Sequence, residues 1–134
     1  MNEDEKALMN QANGRVLVFY LSGPMLFGVA KAIAREHSAM RQSDVLIVDL
    51  SDVPFIGVTA SLAIENVVKD ALDQQLKVYV VGATGQTLKR LEQIKLVELV
   101  GPAFFKDYRI EALQEAVENL TPIANNPLPK ITYP

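Results

Sequence analysis

Side chains able to carry covalent or acid–base chemistry are scarce in this sequence. His37 is its one histidine, and it has no cysteine. Thiolate nucleophiles, disulfides and thiolate metal sites are therefore excluded. A histidine pair for a metal is excluded too, and the carboxylates show no ligand spacing, so no metal or other cofactor is expected. His37 shares a helical face with Ala30, Ile33 and Ala34, the setting of a packed histidine and not of a general base. None of Ser22, Ser38, Ser43, Ser51 and Ser61 stands in a G-x-S-x-G elbow, and nothing in the spacing brings one to His37 and an Asp.

Two segments have the types and placement of anion sites. Gly82-Ala83-Thr84-Gly85-Gln86-Thr87 follows a strand and opens a helix, where free N–H groups attract phosphate. It matches neither dinucleotide nor Walker glycine spacing. Gly85 and Thr87 are its candidate anion-facing residues, and the competing reading is a turn followed by a helix capped by Thr87. The second segment runs Asp49-Leu50-Ser51-Asp52-Val53-Pro54-Phe55-Ile56-Gly57-Val58-Thr59-Ala60-Ser61. It leads from the end of a buried strand through a loop onto a helix. Gly57, Val58 and Ser61 lie at that helix N-terminus beside Thr59. A phosphate on Thr59 would meet the positive end of the helix dipole and change any surface docked there. The plainer alternative is that Thr59 caps the helix. Lys89, Arg90 and Lys95, interrupted by Glu92 and Glu98, read as solvated surface. Phe104, Phe105 and Tyr108 read as core or edge packing and not as a base-stacking platform.

These segments depend on a regular alternation. Val16 to Leu21 and Val45 to Leu50 are continuous apolar runs, the pattern of strands buried on both faces. Leu76 to Val81 is a third. Helical periodicity covers Phe27 to Met40, Val58 to Asp73, Thr87 to about Ile94, and Arg109 to Leu120. Leu96 to Phe105 is mixed and has room for a short strand. Residues 1–13 read as a polar lead-in or short strand ended by the Asn13-Gly14 turn, residues 14–120 as the domain, and residues 121–134, with four prolines, as an irregular tail. Strands alternating with amphipathic helices predict an α/β fold with a small, mostly parallel sheet.

The 134 residues fit one domain. Hydrophobic residues make up 49% of the chain, enough for one core, which is aliphatic because there is no Trp. A net charge of -3 with a pI near 5.1 gives no electrostatic basis for binding nucleic acid. No run approaches the roughly 18 apolar residues of a membrane span, and the acidic start Met1-Asn2-Glu3-Asp4-Glu5-Lys6 is not a secretory signal.

Asp49-Leu50-Ser51-Asp52-Val53-Pro54-Phe55-Ile56 resembles the signature of STAS domains, which occur in anti-sigma factor antagonists and in SulP anion transporters. In antagonists the signature continues Asp-Ser-Ser-Gly, with the second Ser phosphorylated. Gly57, Val58, Thr59 and Ala60 hold those places here, so Thr59 falls on the phosphoacceptor while the Asp and first Ser are missing. Ser22-Gly23-Pro24-Met25-Leu26-Phe27-Gly28 is similar to the corresponding stretch of SulP STAS domains, where antagonists carry a Gly-Glu-Leu/Ile-Asp type sequence. Leu91-Glu92-Gln93-Ile94-Lys95-Leu96 resembles the family's late helix and turn. Within the SulP branch the wording is most similar to cyanobacterial bicarbonate transporters of the BicA type. The resemblance implies a STAS-like mixed sheet of about four or five strands backed by helices. It also implies a non-catalytic regulatory and assembly role at the cytoplasmic face of the membrane. The partners it implies are the transmembrane domain of the same polypeptide, a second copy in a dimer, and a cytoplasmic regulatory protein. Two other functions stay open on the residues alone. One is a free-standing antagonist switching partners through Thr59, and the other is a small nucleotide-binding protein using Gly82 to Thr87.

Overall fold

The structure is a computed structural model, and it describes residues 1–23, 40 and 42–120. The expected helix over Phe27 to Met40, with His37 and Gly28, and the proline-rich tail lie outside the described residues, apart from Met40, which is buried. Helix α1 is Glu3–Ala12, followed by strand β1, Val16–Ser22, and strand β2, Val45–Asp52. Helix α2 is Val58–Asp73, strand β3 is Lys77–Val81, helix α3 is Gly85–Gln93 and helix α4 is Leu96–Val100. A 3-10 turn at Pro102–Phe104 leads into strand β4, Phe105–Lys106, and helix α5, Arg109–Glu118.

The four strands lie in the order β1-β2-β3-β4, and every pairing is parallel. Spatial order follows chain order, and the crossovers from β2 to β3 and from β3 to β4 return on the same face of the sheet. Side chains alternate across a strand, and this alternation divides the core in two. Leu46, Val48 and Leu50 of β2, with Val78 and Val80 of β3, pack against α2, α3, α4 and Met40. Val45 and Ile47, with Tyr79 and Val81, face the opposite layer of α1 and α5. Asp49 belongs by alternation to the α1/α5 face, and its 2% exposure makes it a buried charge in a strand that is otherwise apolar up to Leu50.

The N-terminus departs from the lead-in or short strand expected there: residues 3–12 are helical. Asn2 and Glu5 form a capping box, the Asn2 side chain accepting from the Glu5 N–H at 2.8 Å and Glu5 accepting from the Asn2 N–H at 3.1 Å. Asn13, in the left-handed region at φ 51, closes the helix. Leu8, Met9 and Ala12 supply the face that packs on the sheet. The polar majority in this segment hid that narrow stripe.

Two further local expectations change. The mixed stretch 96–105 is mostly the short helix α4 and the 3-10 turn, with only Phe105 reaching β4. Helix α3 begins after Thr84 at its N-cap position, two residues before the predicted start. Thr87 is fully buried, and its hydroxyl donates to the Val53 carbonyl at 2.8 Å. A buried carbonyl needs a partner, and that requirement outweighs capping at this position.

Candidate functional site

Polar side chains converge at the carboxyl ends of the strands, where ligands of parallel α/β sheets generally gather. Arg109 opens α5 and holds three elements together. Its Nε donates to Glu5 Oε2 at 2.8 Å and its Nη2 to Glu5 Oε1 at 3.2 Å, a two-point fork onto α1. Its Nη1 donates to Asp49 Oδ2 at 3.0 Å on β2. The other oxygen of Asp49 accepts from the Ser51 N–H at 3.0 Å and the Ser51 hydroxyl at 2.6 Å. Hydrogen bonding to the Arg109 guanidinium holds the Glu5 carboxyl below its usual range, and the same contact raises Arg109. Nothing in the sequence links Glu5 to Arg109, 104 residues away. The one signal was Asp49 itself, because a carboxylate inside an apolar strand requires a cation from elsewhere.

Beside this clasp, the Tyr20 hydroxyl donates to Asp52, and that bond raises the Tyr20 pKa. Gly82 turns the chain after β3 at φ +72 and donates its N–H to the Lys106 carbonyl at 2.9 Å. A Cβ on Gly82 would lie 2.3 Å from Ser51 Oγ and 2.6 Å from Ser51 Cα. Glycine therefore lets the β3 turn approach the β2 terminus. Farther down α5, Glu115 accepts from the buried Tyr79 hydroxyl at 2.9 Å and pairs with Lys106 at 2.9 Å. Burial, with help from Glu115, pushes the Tyr79 hydroxyl strongly upward, and Lys106 holds Glu115 low.

The loop between β2 and α2 is clamped from α3. The Gln86 side chain accepts from the Ile56 N–H at 2.9 Å and donates to the Ile56 carbonyl at 3.1 Å, while Thr87 holds Val53. Pro54 and Phe55 between these anchors stay exposed. Gly57 is the N-cap residue of helix α2 and no side chain caps the helix, so Thr59 is not the cap considered for it. Thr59 is exposed on the first turn. Val58 and Leu62, apolar positions that fit the helical period read over Val58 to Asp73, are 52% and 43% exposed. The buried face of α2 is instead Ala60, Ser61, Ile64, Val67, Val68 and Ala71. Phe55, Val58 and Leu62 thus present an apolar surface around Thr59.

The other candidates are distributed unevenly. Gly57 is half-buried, and Ser61 is buried with its hydroxyl donating to the Val58 carbonyl at 2.7 Å, so Ser61 does not face an incoming anion. Gly85 is exposed at the start of α3, whereas Thr87 is spent on Val53. Lys89 and Lys95 are exposed, and Arg90 donates to Gln93 at 2.9 Å. Phe104 packs edge-on against Tyr79 at 5.2 Å between ring centres. Tyr108 is 69% exposed, contrary to the packing expected of it. Among the described residues no group of three or more metal-ligating side chains gathers, and no helix is long and apolar enough to cross a membrane.

The STAS domain family profile matches residues 7–116. The chain belongs to the STAS domain family. Two curated relatives are similar to it: the Bicarbonate transporter BicA of Synechocystis sp. is 52% identical over 122 residues, 91% of this chain and 22% of the relative. BicA of Picosynechococcus sp. is 54% identical over 118 residues, 88% of this chain and 21% of the relative. The chain therefore spans about a fifth of the length of these transporters. In fold it resembles the SulP transporter STAS domain from Vibrio cholerae, with a TM-score of 0.72 at 23% identity, covering 87% of this chain and 96% of that one. A sulfate transporter family protein from Wolinella succinogenes gives a TM-score of 0.68 at 22% identity, covering 75% and 84%. The expected STAS-like α/β fold, a small, mostly parallel sheet backed by helices, is the one observed, and among the described residues every pairing is parallel.

Proposed function

We propose that residues 1–134 are the regulatory and assembly domain of a SulP-type anion transporter, that bicarbonate is the transported anion, and that the domain itself catalyses no reaction. The identity of 52% over 91% of this chain to a bicarbonate transporter about four times its length carries the proposal. In this reading the membrane part of the same polypeptide moves the anion. The STAS domain lies at the cytoplasmic face and sets the activity or assembly of that part. Paired polar groups at the strand ends suit such a role. Arg109, Glu5, Asp49 and Ser51 satisfy one another and brace the domain.

The regulatory surface in this reading is the start of α2. Thr59 is exposed, stands on a helix N-terminus that accepts negative charge, and is bordered by exposed Phe55, Val58 and Leu62. A charge added there changes the apolar surface without disturbing the core. The exposure of Thr59 also suits partner switching by a free-standing antagonist. The test is bicarbonate uptake by the longer protein carrying Thr59→Glu. We expect uptake at equal abundance to change at least threefold, with the melting temperature of residues 1–134 within about 2 °C of the parent. Unchanged uptake would remove Thr59 from the regulatory surface, and a sharp fall in melting temperature would make it structural.

A further inference from the structure

Three adjoining hollows open at the carboxyl end of the sheet. One of about 290 Å³ is lined by residues that include Glu5, Tyr20, Asp49, Asp52, Tyr108 and Arg109. It shares Tyr20, Asp52 and Arg109 with a hollow along β1, and Ser51 and Tyr108 with one that reaches Gly82 and Asp107. Four carboxylates, Glu5, Asp49, Asp52 and Asp107, line this crevice. Arg109 is the one cationic side chain among the described lining residues, and Glu5 and Asp49 already engage it. Asp52 and Asp107 are exposed and in excess of the available positive charge.

Surface carboxylates alone would be solvated and worth little. Here they are combined with a concave, solvent-open shape and two aromatic walls, because Tyr20 and Tyr108 are 48% and 69% exposed and line the same hollow. A guanidinium or ammonium over a tyrosine face is attracted by the negative face of the ring. The inner half of the crevice already shows this chemistry in the clasp of Arg109 between two carboxylates.

We propose that the crevice docks a Lys- or Arg-bearing segment of the membrane part of the same polypeptide, seating a cationic side chain between Tyr20 and Tyr108 against Asp52. The occupant rests on the transporter reading above. Cytoplasmic loops of membrane proteins carry an excess of Lys and Arg, which complements the charge surplus here. Docking at this end would also place the partner against α1 and Arg109, so that the contact reaches β2 through Asp49.

The probes are two 12-residue synthetic peptides, one with four arginines spaced by glycine and leucine, the other with glutamates in their place. They are titrated into isotope-labelled residues 1–134 and followed by amide shifts. The arginine peptide is expected to shift Tyr20, Asp52, Asp107 and Tyr108, with an apparent Kd about tenfold weaker at 300 mM than at 50 mM salt. The glutamate peptide is expected to leave these shifts in place. Asp52→Asn with Asp107→Asn should weaken binding at least fivefold, and Tyr108→Ala about threefold; none of these residues belongs to the Arg109 clasp. Equal binding by parent and variants, or shifts confined to α2, would overturn the proposal. So would a concentration-dependent doubling of mass that the asparagine pair abolishes, because the occupant would then be a second copy. These arms do not depend on the transporter reading. If the gene encodes no membrane spans while the arginine peptide still binds here, the named occupant and the transporter reading fall together and the recognition of cations stands.

Discussion

Replacing Arg109 by Gln probes the contact that binds α1 and α5 to the sheet. The substitution keeps a polar side chain but removes the charge and the fork. Two carboxylates would then remain without their cation, Glu5 with a side chain 7% exposed and Asp49 with one 2% exposed. Removing one partner of a buried ion pair costs about 3–5 kcal/mol. Arg109 is itself 23% exposed, so water relieves part of the penalty and the low end, about 3 kcal/mol, is expected. For a domain of this size that is about a 10 °C fall in melting temperature. Urea unfolding measures the free energy, and hydrogen exchange locates it. Protection should fall first in α1, because Glu5 is its polar anchor, and much less in α2. A double-mutant cycle with Glu5→Gln should show coupling of at least about 1 kcal/mol. A loss below about 1 kcal/mol, with α1 protection unchanged, would refute the clasp as the element holding α1.

Gly82→Ala should destabilise by more than about 2 kcal/mol by urea unfolding, since it combines a left-handed φ with a Cβ driven against the Ser51 backbone. Thr87→Val keeps shape but leaves the Val53 carbonyl without its donor, at a cost of about 1–3 kcal/mol. Its amide exchange should rise in the 53–57 loop before the strands. Acidification gives a third outcome. Arg109 depresses the Glu5 carboxyl from its ordinary value of 4.5. The stability from that contact is therefore complete above pH 4.5 and lost as pH falls through the lower folded value. Between pH 5 and pH 3, Glu5→Gln should lose less stability than the parent, read by thermal melts across that range.

The three long strands and helices α2, α3 and α5 were legible because apolar runs and helical periods repeat along the chain. The alternation in Val45 to Leu50 even contains the division into two core layers, since Leu46 and Val48 face one layer while Val45 and Ile47 face the other. Helix α1 was not legible as a helix, because its start depends on a capping box and its hold on the sheet on a residue 104 positions away. Val58 and Leu62 misled for the opposite reason. Their spacing fits the helical period, but Ala60 and Ile64 allow α2 to approach the sheet on another face. Asp49 to Ile56 drew attention as sequence. Its clamping by Gln86 and Thr87 came from α3, whose contribution no local pattern announces.

The central claim is that this domain is part of a membrane transporter, and the size and partition of the native gene product test it most directly. An antibody raised against residues 1–134 is used to blot cell fractions after alkaline carbonate extraction. The account predicts a band of about 550 residues, the length implied by 122 residues being 22% of a relative, retained in the extracted membranes. A freely extracted band near 14.8 kDa, the mass of this chain alone, would contradict it.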